Sequence, residues 1–187
     1  YTFLHTLSLH DALPIYIREG VDVKITRYGG TGVRSAYPGH LEEYPYRMEF
    51  GTLNLVGVAG LNAGVKWILE QGIDNIHERE MKLWDKLRLG LQEIKGVTTY
   101  CADTCENHNP VLSFNINGFE AGDVGMMLDV DYEIACRTGL QCAPKVHEGI
   151  GTFDIHGTVR LSVGPFNTDE DIDAAINAVR EIASLKN

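Results

Sequence analysis

Cys142 sits in RTGLQCAPKVHEGIG, the stretch from Arg137 to Gly151, among three glycines, an arginine, a proline and a histidine. Buried structural cysteines usually lie inside apolar runs. Here Gly139, Pro144 and Gly149 interrupt regular structure, which predicts a loop. The chemistry open to such a residue is nucleophilic attack by sulfur. That needs exposure and a lowered thiol pKa, because the thiolate is the reactive form. Glycine on its N-terminal side would give reach, and Arg137 and His147 are near enough in sequence to stabilise a thiolate. A Cys–His pair at this spacing also arises by chance, so spacing alone gives His147 no role.

Three further places could hold an anion. Arg160 lies in TVRLS, a strand-like run with apolar neighbours. It is either a paired structural ion or a carboxylate binder, for which its planar fork is suited. Gly51 and Thr52, in EFGTLN before an apolar helix, offer backbone N–H groups and a hydroxyl suited to a phosphate. The commoner use of that pattern is a plain helix cap by Thr52. GGTG, Gly29 to Gly32, could wrap an anion but lacks the Lys-Ser/Thr of a Walker loop. Cys101 and Cys105, in CADTCENH, fit no common zinc spacing and read as a surface loop, so no metal site is expected.

These residues must be carried by secondary structure. YIREGVDVKITRY predicts two short extended segments around Glu19–Gly20. A long Gly-, Pro- and Tyr-rich loop follows; loops of that length are often functional. LVGVAGLNAGVKWILEQG reads as a helix, apolar nearly all round, that should be buried and end at Gly72. Asp74 opens a second helix with Ile76, Met81, Trp84, Leu87, Leu91 and Ile94 at helical spacing, closed by Gly96. Strands are expected at Val97 to Tyr100, Val111 to Asn115, Glu133 to Cys136 and through GTVRLSVG, with a helix near Ala121 to Asp129. The last helix should be capped by Thr168, with Asp171 in a capping-box relation. Alternating strands and helices give an α/β or α+β class.

Composition bounds the function. The chain has 187 residues, 44% of them hydrophobic, and a net charge of -10. This argues against a nucleic-acid surface. No apolar run approaches the ~20 residues of a membrane span. Four cysteines in a chain of this size need not be disulfides, so reduced thiols and a cytoplasmic setting are the default. TLSLHDALPI, Thr6 to Ile15, has neither period nor cap. It back-translates as ACT CTT TCC CTA CAC GAC GCT CTT CCG ATC, the end of a common sequencing adapter. Residues 1–15 are therefore expected to be a non-native leader; long reads recovering the same codons in genomic context would overturn this.

In order, YIREGV, GGTGVRS, YRMEFGTLN, GVAGLNAG, PVLSFNI, RTGLQCAP, HEGIGT and GTVRLSVGPFNTDEDID resemble the C-terminal part of the cysteine desulfurase family, from about Tyr16 onward. That resemblance implies an α/β chain in the type I fold of pyridoxal phosphate (PLP) dependent transferases. Residues 16–73 would be the end of the PLP-binding large domain. Residues 74–187 would be the small α+β C-terminal domain. It also implies that L-cysteine is converted to L-alanine, with PLP as electron sink, and that the sulfur is left as a persulfide on Cys142. Arg160 would bind the substrate carboxylate, with Arg137 nearby. Thr52, after Gly51, would reach the PLP phosphate of the partner subunit in a homodimer. A sulfur-acceptor protein would take the persulfide, as in iron–sulfur cluster assembly. His147 lies outside the family's core catalytic set and is read as structural.

The chain departs from the family twice. Many relatives carry histidine before the nucleophile, where Gln141 stands; glutamine cannot act as a general acid. The family's Schiff-base lysine lies just upstream of the segment matching YIREGV. None of Lys24, Lys66, Lys82, Lys86, Lys95, Lys145 and Lys186 has that context. This chain is therefore expected to lack covalent PLP and turnover, and exposed apolar surface in residues 16–72 would lower its solubility. Other readings are a selenocysteine lyase, another C–S lyase, an aminotransferase, or a non-catalytic C-terminal module.

Overall fold

A computed structural model of the chain describes residues 17–34, 36–101, 104, 108–110 and 111–186. The leader expected at residues 1–15, and Cys105, lie outside the described residues. The chain divides into two compact units, Tyr1–Glu70 and Gln71–Asn187.

In the first unit the segment after Tyr16 forms no strand. It turns at Glu19–Gly20, where the Val21 amide donates to the Arg18 carbonyl. The following residues are held by side chains instead. The Val23 amide donates to the Tyr44 hydroxyl at 3.0 Å, and Arg47 pairs with Asp22 at 2.6 Å. The two expected extended segments therefore form no sheet. The long loop contains a 3-10 turn, Tyr46–Met48, and closes on itself where the Gly51 amide donates to the Gly30 carbonyl at 2.7 Å.

Helix α1, Leu55–Gln71, ends where expected, but only Gly57 is buried. Leu55, Val56 and Leu69 are 70%, 77% and 75% exposed. Burial was expected from an all-round apolar composition; among the described residues nothing covers these side chains. Asn54 caps the helix, its side-chain oxygen accepting from the Gly57 amide at 2.9 Å. Asn is among the strongest N-cap formers, so Thr52 is not the cap.

The second unit is a four-stranded antiparallel sheet, ordered β1-β2-β4-β3. Its elements are α2 (Ile73–Gln92), β1 (Val97–Tyr100), β2 (Val111–Ile116), α3 (Ala121–Tyr132), β3 (Arg137–Gly139), α4 (Pro144–Gly149), β4 (Thr158–Ser162) and α5 (Asp169–Ser184). β4 inserts between β2 and β3, which makes β2–α3–β3 a split crossover unit. Leu112, Phe114, Ile116, Val159 and Leu161 alternate along β2 and β4 and are buried. A period of two puts all five on one face; α2 and α3 pack on the sheet there, and α5 packs on α2 and α3 within the same core. Trp84, fully buried, also donates its indole N–H to the Val111 carbonyl at 3.0 Å, which satisfies its one polar atom.

Three expectations shift. Helix α2 begins at Ile73 with Gly72 at its cap, so Asp74 falls within the first turn, where its charge favours the helix dipole. Residues 133–136 are irregular, because Glu133 takes a left-handed conformation, φ 56°, at the end of α3. The strand begins at Arg137 instead. The stretch read as a continuous loop from Arg137 is thus strand, turn and short helix. Pro144 starts α4 because its fixed φ suits a first helical position. The capping box at Thr168 and Asp171 forms as expected, both bonds present.

Candidate active site

The sheet face opposite the helices carries the polar side chains. The register pairs Tyr100 with Ser113, Ser113 with Arg160, and Arg160 with Arg137. Residues directly opposite on antiparallel strands share a face, so these four form one row across the whole sheet. A second row contains Thr98, Asn115, Thr158 and Gly139, from the same register. Strand pairing therefore brings Arg160 and Arg137 side by side, although they are far apart in sequence.

Like charges directly opposite each other are destabilising. No salt bridge among the described residues joins either arginine to an acid. Arg160 is half-buried, and its Nε is buried without a hydrogen-bond partner. Asn115 Oδ1 and Thr158 Oγ1, on the same face, are also buried and unpartnered. A buried polar group without a partner costs roughly 1–3 kcal/mol. An anion held by these guanidinium groups would offset their repulsion and give Arg160 Nε an acceptor.

Cys142 follows directly from β3. The Ala143 amide donates to the Leu140 carbonyl at 2.8 Å, closing a four-residue turn. Its central residues, Gln141 and Cys142, have φ of 51° and 60°, the signature of a type I′ turn. Neither residue favours that region; left-handed backbone costs a non-glycine residue about 1–2 kcal/mol. Such strain gathers where the surrounding structure over-determines a functional side chain. Cys142 is exposed. Gln141 donates from its side-chain amide to the Thr158 carbonyl at 3.1 Å and, weakly, to the Arg137 carbonyl at 3.5 Å. Gly157, φ 96°, presses on the Gly139 carbonyl so closely that a Cβ there would collide with it. Only glycine admits that approach of the two chain segments at the root of the loop.

His147 is 3% exposed, and its Nδ1 hydrogen-bonds the Thr152 hydroxyl at 2.7 Å. The Thr152 and Phe153 amides both donate to the His147 carbonyl. Its ring is thus engaged in holding the chain after α4.

In the first unit the Gly51 amide is already used by Gly30, so at φ 88° Gly51 contributes shape rather than a donor. Thr52 is exposed just before α1, and its hydroxyl makes no hydrogen bond with a described residue. The Thr52 hydroxyl, beside the start of a 17-residue helix, could meet an anionic group such as the PLP phosphate. Of the seven lysines, six are exposed, and Lys86 is paired with Asp169 at 3.0 Å and Asp173 at 2.8 Å.

Sequence reasoning missed Ser113, Tyr100, Asn115 and Thr158. The signal existed in β2, where apolar Leu112, Phe114 and Ile116 alternate with Ser113 and Asn115.

An antiparallel sheet with helices on one face and the cysteine turn at its β3 edge defines the C-terminal part of a type I PLP-dependent transferase. Its solved counterparts include an apo cysteine desulfurase from Thermococcus onnurineus NA1, with TM-score 0.75 and 32% identity over 86% of this chain and 40% of that one. The family model for class-V aminotransferases matches residues 15–175, and the chain belongs to that family. A probable cysteine desulfurase of Methanothermobacter thermautotrophicus is 34% identical over 158 residues, 84% of this chain and 39% of the relative. A cysteine desulfurase of Escherichia coli is 30% identical over 176 residues, 91% of this chain and 42% of the relative. The chain thus spans about two fifths of the length of these relatives.

Proposed function

We propose that this chain is the C-terminal part of a PLP-dependent cysteine desulfurase, with residues 16–73 from its large domain and 74–187 as its small domain. The observation that carries the reading is the unpaired arginine pair. Arg160, its Nε buried and without a partner, lies opposite Arg137 on the strand that leads into Cys142. That arrangement suits a small carboxylate substrate presented to a thiol.

Each residue then has a task. Arg160 grips the carboxylate of L-cysteine through its planar fork, and Arg137 adds charge beside it. The Cys142 thiolate supplies the electron pair for a new S–S bond to the substrate sulfur. The substrate C–S bond breaks with its electron pair on carbon, which takes a proton and leaves as alanine. Bound PLP supplies the electron sink for this chemistry. Thr52, shaped by Gly51, holds the PLP phosphate across a homodimer. The exposed turn offers its persulfide to a sulfur-acceptor protein in the cytoplasm, for uses such as iron–sulfur cluster assembly. Among the described residues no helix is long and apolar enough to cross a membrane, and the charge of -10 supports a partner other than nucleic acid.

The test is Cys142→Ala in the full-length protein. Release of alanine from L-cysteine should fall by orders of magnitude, as for loss of a covalent nucleophile. Retained amino-group transfer or lyase activity would instead assign the chain to another class-V reaction. A persulfide trapped on Cys142 from an external donor without PLP would favour a stand-alone sulfur-binding module.

A further inference from the structure

The turn that carries Cys142 is left-handed at two consecutive non-glycine residues. Something must hold it there. The turn's own bond, from the Ala143 amide to the Leu140 carbonyl, is local. The second restraint is the Gln141 side chain, which reaches the Thr158 carbonyl at 3.1 Å and the Arg137 carbonyl at 3.5 Å. Both partners are carbonyl oxygens, so only the amide nitrogen can face them. Thr158 and Arg137 are the first residues of β4 and β3, and Thr158 is fully buried. The far end of the same loop is pinned from β2, where Asn115 donates to the Gly157 carbonyl at 3.1 Å. The loop is therefore tied to the sheet at both ends by side-chain amides that carry no titratable proton.

We propose that Gln141 is a positioning residue: its amide clamps the Cys142 turn to β3 and β4 and sets where the sulfur rests between transfers. This rests on the reading that Cys142 carries the sulfur. Histidine at the same place could donate or accept a proton; glutamine cannot. The clamp replaces proton chemistry at that position with geometry. It leaves the Arg160 and Arg137 guanidinium groups untouched, since it uses only the backbone carbonyl of Arg137.

The experiment compares the protein with Gln141→Met, which keeps the length and removes the donors. In the 15N-labelled chain, exchange of the Ala143 amide proton should become about tenfold faster, as expected for the loss of one or two net hydrogen bonds. The Asp171 amide, bonded to Thr168 in the distant capping box, should not change. In the full-length holoenzyme the same substitution should lower kcat for alanine release about tenfold, with KM for L-cysteine unchanged. Gln141→His should add an inflection between pH 6 and 7 to the rate of Cys142 alkylation, absent from both other proteins. Unchanged Ala143 exchange in Gln141→Met, or a rise in KM with kcat preserved, would overturn the proposal. These exchange and alkylation readouts do not depend on persulfide formation. Failure of the desulfurase reading, seen as full activity in Cys142→Ala, is thereby distinguishable from failure of the clamp.

Discussion

Two cysteines of the C-terminal unit make a contrast at the scale of single residues. Cys142 is exposed on its turn, whereas Cys136 is half-buried beside α3. Burial pushes the Cys136 thiol above its ordinary value, and the Asp129 carboxylate adds to the shift. A raised thiol pKa means that the fold favours the protonated form. This contribution to stability is complete below the unfolded thiol's pKa and is lost as pH rises through the folded one, on the alkaline side of about 8.5. Iodoacetamide at pH 8 should therefore modify Cys142 first, with Cys136 slower by about tenfold or more. Equal rates by mass spectrometry would contradict the burial of Cys136. The exposure of Cys142 was legible from its glycine and proline neighbours. Its left-handed backbone was not, because Gln and Cys are not residues that select a type I′ turn.

Local rules succeeded where both partners lie within one turn of chain. The Thr168 capping box closes within α5, with the Asp171 amide donating to the Thr168 hydroxyl at 3.3 Å and the Thr168 amide to Asp171 Oδ2 at 3.0 Å. The Thr168 backbone amide holds the Asp171 carboxyl below its ordinary value, with Asn167 helping. A depressed carboxyl pKa stabilises the fold above the unfolded value of about 3.9 and loses that effect as pH falls through the folded one. Thr168→Ala should cost about 1 kcal/mol, read as a lower urea midpoint with an unchanged slope. The substitution keeps the backbone amide that holds the Asp171 carboxyl, so the difference between variant and parent should change little as pH falls to about 2; a difference that vanishes below about pH 4 would instead tie the cap to the carboxylate. By contrast, α1 was expected to be buried and is exposed, because burial depends on what lies opposite a helix and not on its own composition. The strand expected at 133–136 moved to Arg137–Gly139 because Glu133 ends α3 in a left-handed conformation.

For the molecule as a whole, the two units hold different parts of the proposed chemistry. Thr52 and Gly51 belong to the first, and Cys142, Arg137 and Arg160 to the second. The family resemblance puts the covalent lysine upstream of YIREGV, so the expectation is that the 187-residue chain incubated with PLP shows no Schiff-base absorbance near the visible edge. A band there that borohydride reduction fixes onto a lysine peptide would mean that one of the seven lysines serves after all. The order of motifs along the chain was enough to identify the family; Cys142, Arg160 and Arg137 are candidates through that resemblance, not through their own spacing. Helix periods and the α5 cap were local. The pairing of Arg160 with Arg137, the open polar face shared with Ser113 and Asn115, and the Gln141 clamp came only from the sheet. Each depends on which strand lies beside which, and that register is set by burial of Leu112, Phe114, Val159 and Leu161 in the core shared with the helices, a contact between residues distant in the chain.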